Sequence, residues 1–448
     1  MSKIYDNSLS FNLVRRYTIF TFKRFYSEFI VIGKENIPKS GPVIFAPNHT
    51  NALMDALAIY SVAPKNIPVI FLARSDIFKN KVAAKILYFT KIMPAFRMRD
   101  GIENLGKNNP IFNQCVEVLD QRKALGIMPE GNQEIERKLR PLVKGIFRIA
   151  FAAQKKYGNK NGIKIIPIGL DYGDLIKSNK HIIINVGKPI EISEYMNAYE
   201  ENPVNATNDI RDRLRVNLDN LSLNLDTDKY YTCFETVIEV ANKSELDELK
   251  LRDTTINRFV ARQKIAHKLV EFEKMHLEKT EKLDSLCTKY TNLLISLNLK
   301  SWVFDSKFYT KSTLLFKGLF IFFTFPVFIY GFILNITPFI APVFLRKYIL
   351  KINDIGFFST LHYGIGILVF PFFYIFQTVI FSHFSNMDWW VVIFFFLTQY
   401  PFGKWAIKWY SMKKKYSAQL RFLNLKQKKS HELLQVETIR RQIINLIS

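Results

Sequence analysis

The chain has 448 residues and a formal net charge of +24, with 63 Lys and Arg against 39 Asp and Glu. That length holds two or three domains at ~150 residues each, and the charge calls for partners rich in negative charge, either nucleic acid or anionic lipid headgroups. The 40 Phe residues, many of them in C-terminal runs with no charge, favour a membrane and count against a nucleic-acid-binding module, which would interleave a basic face with aromatics. Cys115, Cys233 and Cys287 are scattered and lack metal-ligand spacing, which argues against a disulfide framework or a metal site and for a reducing compartment.

Residues 9–27 mix Leu9, Phe11, Val14, Phe20, Phe22 and Phe25 with Arg15, Arg16, Lys23 and Arg24. This is the composition of a basic amphipathic helix, lying either on a membrane surface or against the following domain. Arg15-Arg16 and Lys23-Arg24 interrupt any signal-peptide core, so the chain is expected to begin in the cytosol. Strand signals at Phe29–Ile32, Val43–Ala46, Val69–Leu72, Ala124–Met128, Ile163–Leu170 and His181–Val186 then alternate with helical stretches to about residue 195, the pattern of an α/β domain.

The second strand runs into Asn48-His49-Thr50-Asn51-Ala52-Leu53-Met54-Asp55, a polar turn opening a helix. A histidine beside a carboxylate is an economical general base near neutral pH, because the carboxylate fixes the imidazole tautomer and stabilises the imidazolium. Six positions at about 100° each put His49 and Asp55 on different faces of one helix. The pair therefore works only if His49 lies in the turn and Asp55 points back from the second helical turn. The other reading makes Asn48 or Thr50 an N-cap and His49 a solvated turn residue.

Three further stretches carry possible chemistry. Ile92–Gly101 sets Arg97 and Arg99 two residues apart in a turn, where either could clamp a phosphate or both could be solvated. Ile127-Met128-Pro129-Glu130-Gly131 ends an apolar strand in a carboxylate and a glycine, as a ligand-approaching turn or a plain strand end would. Gly126 and Gly131 have the outer spacing of a P-loop, but Asn132-Gln133 stands where Lys-Ser/Thr would follow, which excludes nucleoside triphosphate binding. Ile165-Ile166-Pro167-Ile168 ends another strand in a stiff turn.

In this order, N-H-x5-D, Pro-x-Phe-Arg, Pro-Glu-Gly and Ile-Pro, the blocks over residues 28–195 resemble the glycerolipid acyltransferase family of 1-acylglycerol-3-phosphate and glycerol-3-phosphate acyltransferases. The five residues between His49 and Asp55, against the commoner four, look like the branch holding the yeast glycerol-3-phosphate/dihydroxyacetone-phosphate acyltransferases and their bacterial relatives. The resemblance implies that His49 is the general base and Asp55 its orienting carboxylate. It also implies a substrate-binding set of Asn48, Arg97, Arg99, Glu130, Gly131 and Pro167. Where many members have Glu-Gly-Thr-Arg this chain has Glu-Gly-Asn-Gln, so Arg137 or Arg140 is expected to supply the missing cation. The implied reaction needs no cofactor or metal, only an acyl thioester donor (acyl-CoA or acyl carrier protein) and a glycerophosphate or lysophospholipid acceptor. A non-catalytic lipid-binding or membrane-organising protein on the same fold is the alternative.

From 196 to 312 the sequence becomes charged and helical, with Leu269, Phe272, Met275 and Leu277 marking an apolar face of a helical hairpin or short coiled coil, and His267 and His276 read as solvated. Residues 318–345 and 355–387 contain no Asp, Glu, Lys or Arg, and each exceeds the ~20 residues that span a bilayer. Lys311, Lys317, Arg346, Lys347 and Lys351 flank the first run on both sides, so 318–345 either re-enters on the cytosolic face, bending near Pro326 or Asn335–Pro338, or spans once. Residues 357–408 read as a transmembrane hairpin, with Lys404 and Lys408 snorkelling. The tail from 411 to 448, with nine Lys or Arg and two Glu, suits anionic headgroups.

The expected architecture is thus an amphipathic N-terminal helix (1–27), an α/β acyltransferase domain with a mixed sheet flanked by helices (28–195), a helical insert (196–312), an α-helical membrane region (313–410) and a basic helical tail (411–448). The protein is expected to be integral to a phospholipid membrane, its catalytic domain on the cytosolic face.

Overall fold

Short runs of Val, Ile and Phe bounded by turns build one eight-stranded sheet. A computed structural model describes residues 4–65, 67–96, 108–158, 162–305 and 310–447. The strands are β1 (Glu28–Ile32), β2 (Val43–Pro47), β3 (Val69–Arg74), β4 (Ile92–Ala95), β5 (Ala124–Gly126), β6 (Lys164–Tyr172), β7 (His181–Val186) and β8 (Ile190–Glu191). Their spatial order is β1-β7-β6-β2-β5-β3-β4, with β8 also paired to β6. From β6 to β4 every neighbouring pair is parallel, β7 runs antiparallel to β6, and β1 is parallel to β7, so the sheet is mixed.

Helices α1 (Leu9–Phe25), α2 (Ala52–Val62), α3 (Lys81–Phe89), α4 (Asn108–Asp120), α5 (Gly145–Tyr157), α6 (Met196–Glu201) and α7 (Pro203–Leu221) complete this first unit, Met1–Asn224 together with Asp354–Thr360. The central strand β2 is buried along its whole length, and α2 is buried almost all round, which is why both read as continuous apolar runs. Parallel strands deliver their C-terminal ends to one edge of the sheet, where α/β folds place their ligands.

At the edge of the sheet one stretch differs from the sequence reading. Ile92–Ala95, read as part of a turn, is strand β4. It is an edge strand paired only to β3, so Pro94 interrupts no second ladder. Helix α1 packs on the unit through Phe11, Arg15 and Phe22, with the Arg15 guanidinium donating to the carbonyls of Pro64, Lys65 and Ile67. Its other face leaves Leu9, Leu13 and Phe20 exposed.

The second unit comprises Leu225–Asn353 and Leu361–Ser448. Helices α8 (Tyr231–Glu248), α9 (Thr255–Met275) and α10 (Leu277–Ser296) form a bundle together with the C-terminal helix, its core including Phe234, Val237, Ile265, Leu269 and Leu283. Leu269 faces this core, but Met275 and Leu277 flank the α9–α10 turn at His276 and are exposed. Cys233 and Cys287 are buried free thiols in the same core.

The apolar part begins with α11 (Lys311–Phe323) and α12 (Phe325–Phe344), broken at Thr324 just before Pro326, which has no N–H to continue the ladder. Then come α13 (Phe358–Ser385), of which Leu361 onward belongs to this unit, α14 (Trp389–Gln427) and α15 (His431–Ile447). Two helical segments, Phe325–Ile349 and Ile355–Ser385, are long and apolar enough to cross a membrane. The third apolar run and the first part of the basic tail are one 39-residue helix, α14. Asn335 is buried among these helices, donating to the Gln399 carbonyl at 3.0 Å and accepting from the Tyr374 hydroxyl at 2.7 Å. Such polar rungs hold helices together where apolar surface alone gives no preference for helix over lipid.

Helix α7 crosses β6 where Gly169 has no side chain, and a Cβ there would fall 2.0 Å from the Leu221 carbonyl oxygen. Gly169→Ala is expected to destabilise the first unit by roughly 1–3 kcal/mol through overpacking, read as a lower thermal midpoint in detergent.

Candidate active site

The site starts where β2 leaves the sheet. Pro47 is the last residue paired to β6, opposite Ile168. Asn48 extends that pairing with its side chain, its amide oxygen accepting from Leu170 N at 2.6 Å and its Nδ2 donating to Leu170 O at 3.2 Å. The backbone is thereby free to turn, and His49 projects from the end of the strand.

His49 lies in the turn and Asp55 points back at it, from the first turn of α2. The ring Nδ1 is 2.9 Å from Asp55 Oδ2. The same oxygen accepts the backbone N–H of Thr50 at 3.0 Å and of Asn51 at 2.8 Å, while Asp55 Oδ1 accepts the Tyr172 hydroxyl at 2.6 Å. Asp55 is fully buried, whereas the His49 side chain keeps 16% of its surface. With Nδ1 committed to the carboxylate, Nε2 is the ring's acceptor, and among the described residues it has no hydrogen-bond partner.

Glu130 supports the turn from the other side. Its Oε1 accepts the backbone N–H of His49 at 2.8 Å and its Oε2 that of Arg140 at 3.0 Å. Burial pushes this carboxyl up to about 7, against the pull of those two N–H groups. Gly131, at φ +69, reverses the chain immediately afterwards.

A cleft beside the turn is lined by Asn48, Thr50, Glu130, Arg137, Lys138 and Tyr172 among others, but not by His49 itself. Of the two arginines considered as substitutes for the missing cation, Arg137 faces this cleft, where it donates to Tyr172 O at 3.0 Å and pairs with the buried Asp171 carboxylate at 3.5 Å. Arg140 is instead held by both Glu134 oxygens. Pro167 does not end its strand in a turn as the sequence reading had it: it lies inside β6 opposite Ala46, in the gap between the β7 and β8 pairings where its missing N–H breaks no ladder, and its carbonyl accepts from Gly187 N at 2.9 Å. Arg97 and Arg99 lie outside the described residues.

Residues 28–171 match the Acyltransferase family model. The stretch from β1 into β6 is an Acyltransferase-family domain. Similar proteins include a glycerol-3-phosphate O-acyltransferase 1 of Saccharomyces cerevisiae, 31% identical over 132 residues, which cover 29% of this chain and 17% of that protein. Another is a 1-acyl-sn-glycerol-3-phosphate acyltransferase of Borreliella burgdorferi, 26% identical over 201 residues, covering 43% of this chain and 73% of that one. The chain thus matches about a sixth of the yeast relative's length. Among solved structures, the 1-acyl-sn-glycerophosphate acyltransferase PlsC of Thermotoga maritima aligns over 46% of this chain and 78% of its own, at 17% identity and a TM-score of 0.33.

Within this acyltransferase domain the sequence reading missed Tyr172. The available signal was its place on the strand after Ile-Pro: β6 runs parallel to β2 and continues past it, which carries Tyr172 alongside the turn that follows β2. Tyr172→Phe leaves Asp55 Oδ1 buried without a donor and should lower stability by roughly 1–3 kcal/mol, read by thermal unfolding.

Glu130 also gives stability a pH dependence. Its folded value near 7 lies above the ordinary 4.5, so the folded state holds a proton that the unfolded state has lost between those values. This contribution is full below pH 4.5 and falls as pH rises toward 7. The thermal midpoint of wild type relative to Glu130→Gln should accordingly drop across that window, in parallel pH series of the two proteins.

Proposed function

We propose that this protein is a membrane-bound O-acyltransferase that moves a fatty acyl group from a thioester, acyl-CoA or acyl-acyl carrier protein, to a hydroxyl of glycerol-3-phosphate or 1-acylglycerol-3-phosphate. The observation that carries the proposal is the 2.9 Å contact between His49 Nδ1 and a fully buried Asp55, at the C-terminal end of a central parallel strand in an Acyltransferase-family domain.

In this reading Asp55 holds the proton on Nδ1, and Nε2 takes the acceptor hydroxyl's proton as its oxygen attacks the thioester carbonyl. The tetrahedral adduct collapses with cleavage of the C–S bond, and the proton on Nε2 passes to the departing thiolate. The thioester is already activated, so the enzyme's work is proton removal and alignment. Glu130 holds the His49 backbone, and Arg137 places positive charge at the cleft for the acceptor's phosphate. The names of the yeast and Borreliella relatives support both acceptors.

Membrane attachment is supported by the two helical segments long and apolar enough to span, and by the exposed apolar face of α1. The Lys and Arg residues flanking the apolar runs, from Lys311 to Lys351 and Lys404 to Lys415, favour a cytosolic catalytic domain.

His49→Ala should lower acyl transfer in membranes by about 10²–10⁴-fold. Mass identification of the product from each acceptor in turn assigns the acceptor. Activity near wild type in His49→Ala would remove His49 as the base.

A further inference from the structure

Seven residues from far along the chain, Asp354–Thr360, belong to the catalytic unit. They start one apolar helical segment and follow another, yet Gly356 and Ser359 are buried, and Ser359 is only 2% exposed. Its hydroxyl donates to the side-chain oxygen of Asn51, itself 2% exposed. The other end of that amide donates to Leu175 O at 3.3 Å.

Asn51 is the joint between the His49 turn and α2. Its backbone N–H donates to the Asp55 oxygen that also meets His49 Nδ1. The next residue, Ala52, sits at φ +44, a left-handed conformation that an alanine holds only when its surroundings over-determine it. Loss of either grip on the Asn51 side chain releases that constraint next to the base.

Other residues of the segment also touch the unit, though Asp354 and Ile355 are exposed. Asp354 Oδ1 accepts the Gly356 N–H at 3.0 Å. A Cβ on Gly356 would stand 2.8 Å from Gln133 Nε2, so Gln133, in the loop after Glu130, lies directly against it. The Arg74 guanidinium, at the end of β3, covers the Phe357 ring at 5.8 Å. The segment therefore contacts the turn after β2, the end of β3 and the loop after Glu130.

We propose that Ser359 is a positioning residue for acyl transfer. Through Asn51 it holds residues 49–52 in the conformation where Asp55 meets His49, so turnover requires the Asp354–Thr360 segment in its seat. The proposal rests on His49 being the base, and no role in binding either substrate is assigned to Ser359.

The test uses the full-length chain in membranes, with wild type and His49→Ala alongside. Ser359→Ala should lower kcat about tenfold with both KM values within about twofold, the pattern of lost alignment. Ser359→Thr keeps the hydroxyl and should restore most of kcat. Hydrogen exchange of the peptide containing Thr50 and Asn51 should rise in Ser359→Ala and return in Ser359→Thr. Unchanged exchange there would overturn the proposal even if no acceptor turned over, and so would an unchanged kcat, or a loss of kcat that Thr fails to rescue. If wild type and His49→Ala transfer acyl groups equally while the exchange result holds, it is the assignment of the base that fails.

Discussion

One buried carboxylate receives four donors: the His49 ring, two backbone N–H groups and the Tyr172 hydroxyl, all directed at Asp55. Burying an isolated carboxylate costs several kcal/mol, and only such a complete set of hydrogen bonds, about 1.5–3 kcal/mol each for a charged acceptor, offsets it. Asp55 also stands in the first turn of α2, where the helix dipole favours negative charge. The carboxylate is thus satisfied in one geometry, and that geometry fixes the imidazole.

The remaining parts of the site act by keeping that arrangement from relaxing. Asn48 ties the end of β2 to Leu170, Glu130 takes the His49 N–H, and Ser359 takes the Asn51 side chain. Each constrains the backbone within a few residues of His49 and leaves Nε2 open. This suits a reaction whose electrophile is already activated, because the barrier then depends mainly on alignment and proton removal.

The two units meet different physical demands. The first unit buries long apolar strands and holds few ionisable side chains inside, among them Asp55, Glu130 and Arg15, each with partners. The apolar helices of the second unit reverse this, exposing Phe and Ile outward and keeping Asn335 and Gln399 within, as a lipid surround favours. The bundle of α8, α9, α10 and α15 has an ordinary apolar core, with Glu245 neutralised by Lys264 and Lys268.

The sequence by itself determined the alternation of strands and helices, the α/β class and the uncharged runs, and it placed His49 and Asp55 near enough to pair while leaving a solvated His49 also open. Each is written in local periodicity or short spacing, and neighbouring residues enforce it. It left β4 unseen because an edge strand with a proline carries a weak signal, and it left Tyr172 and Ser359 unseen because nothing local marks them. Their role comes from register and chain return: β6 lies beside β2 and overshoots it, and residues 354–360 come back to residue 51. Only tertiary structure places Arg137 at the cleft, where it donates to Tyr172 O and pairs with Asp171, while Arg140 pairs with Glu134 six residues before it.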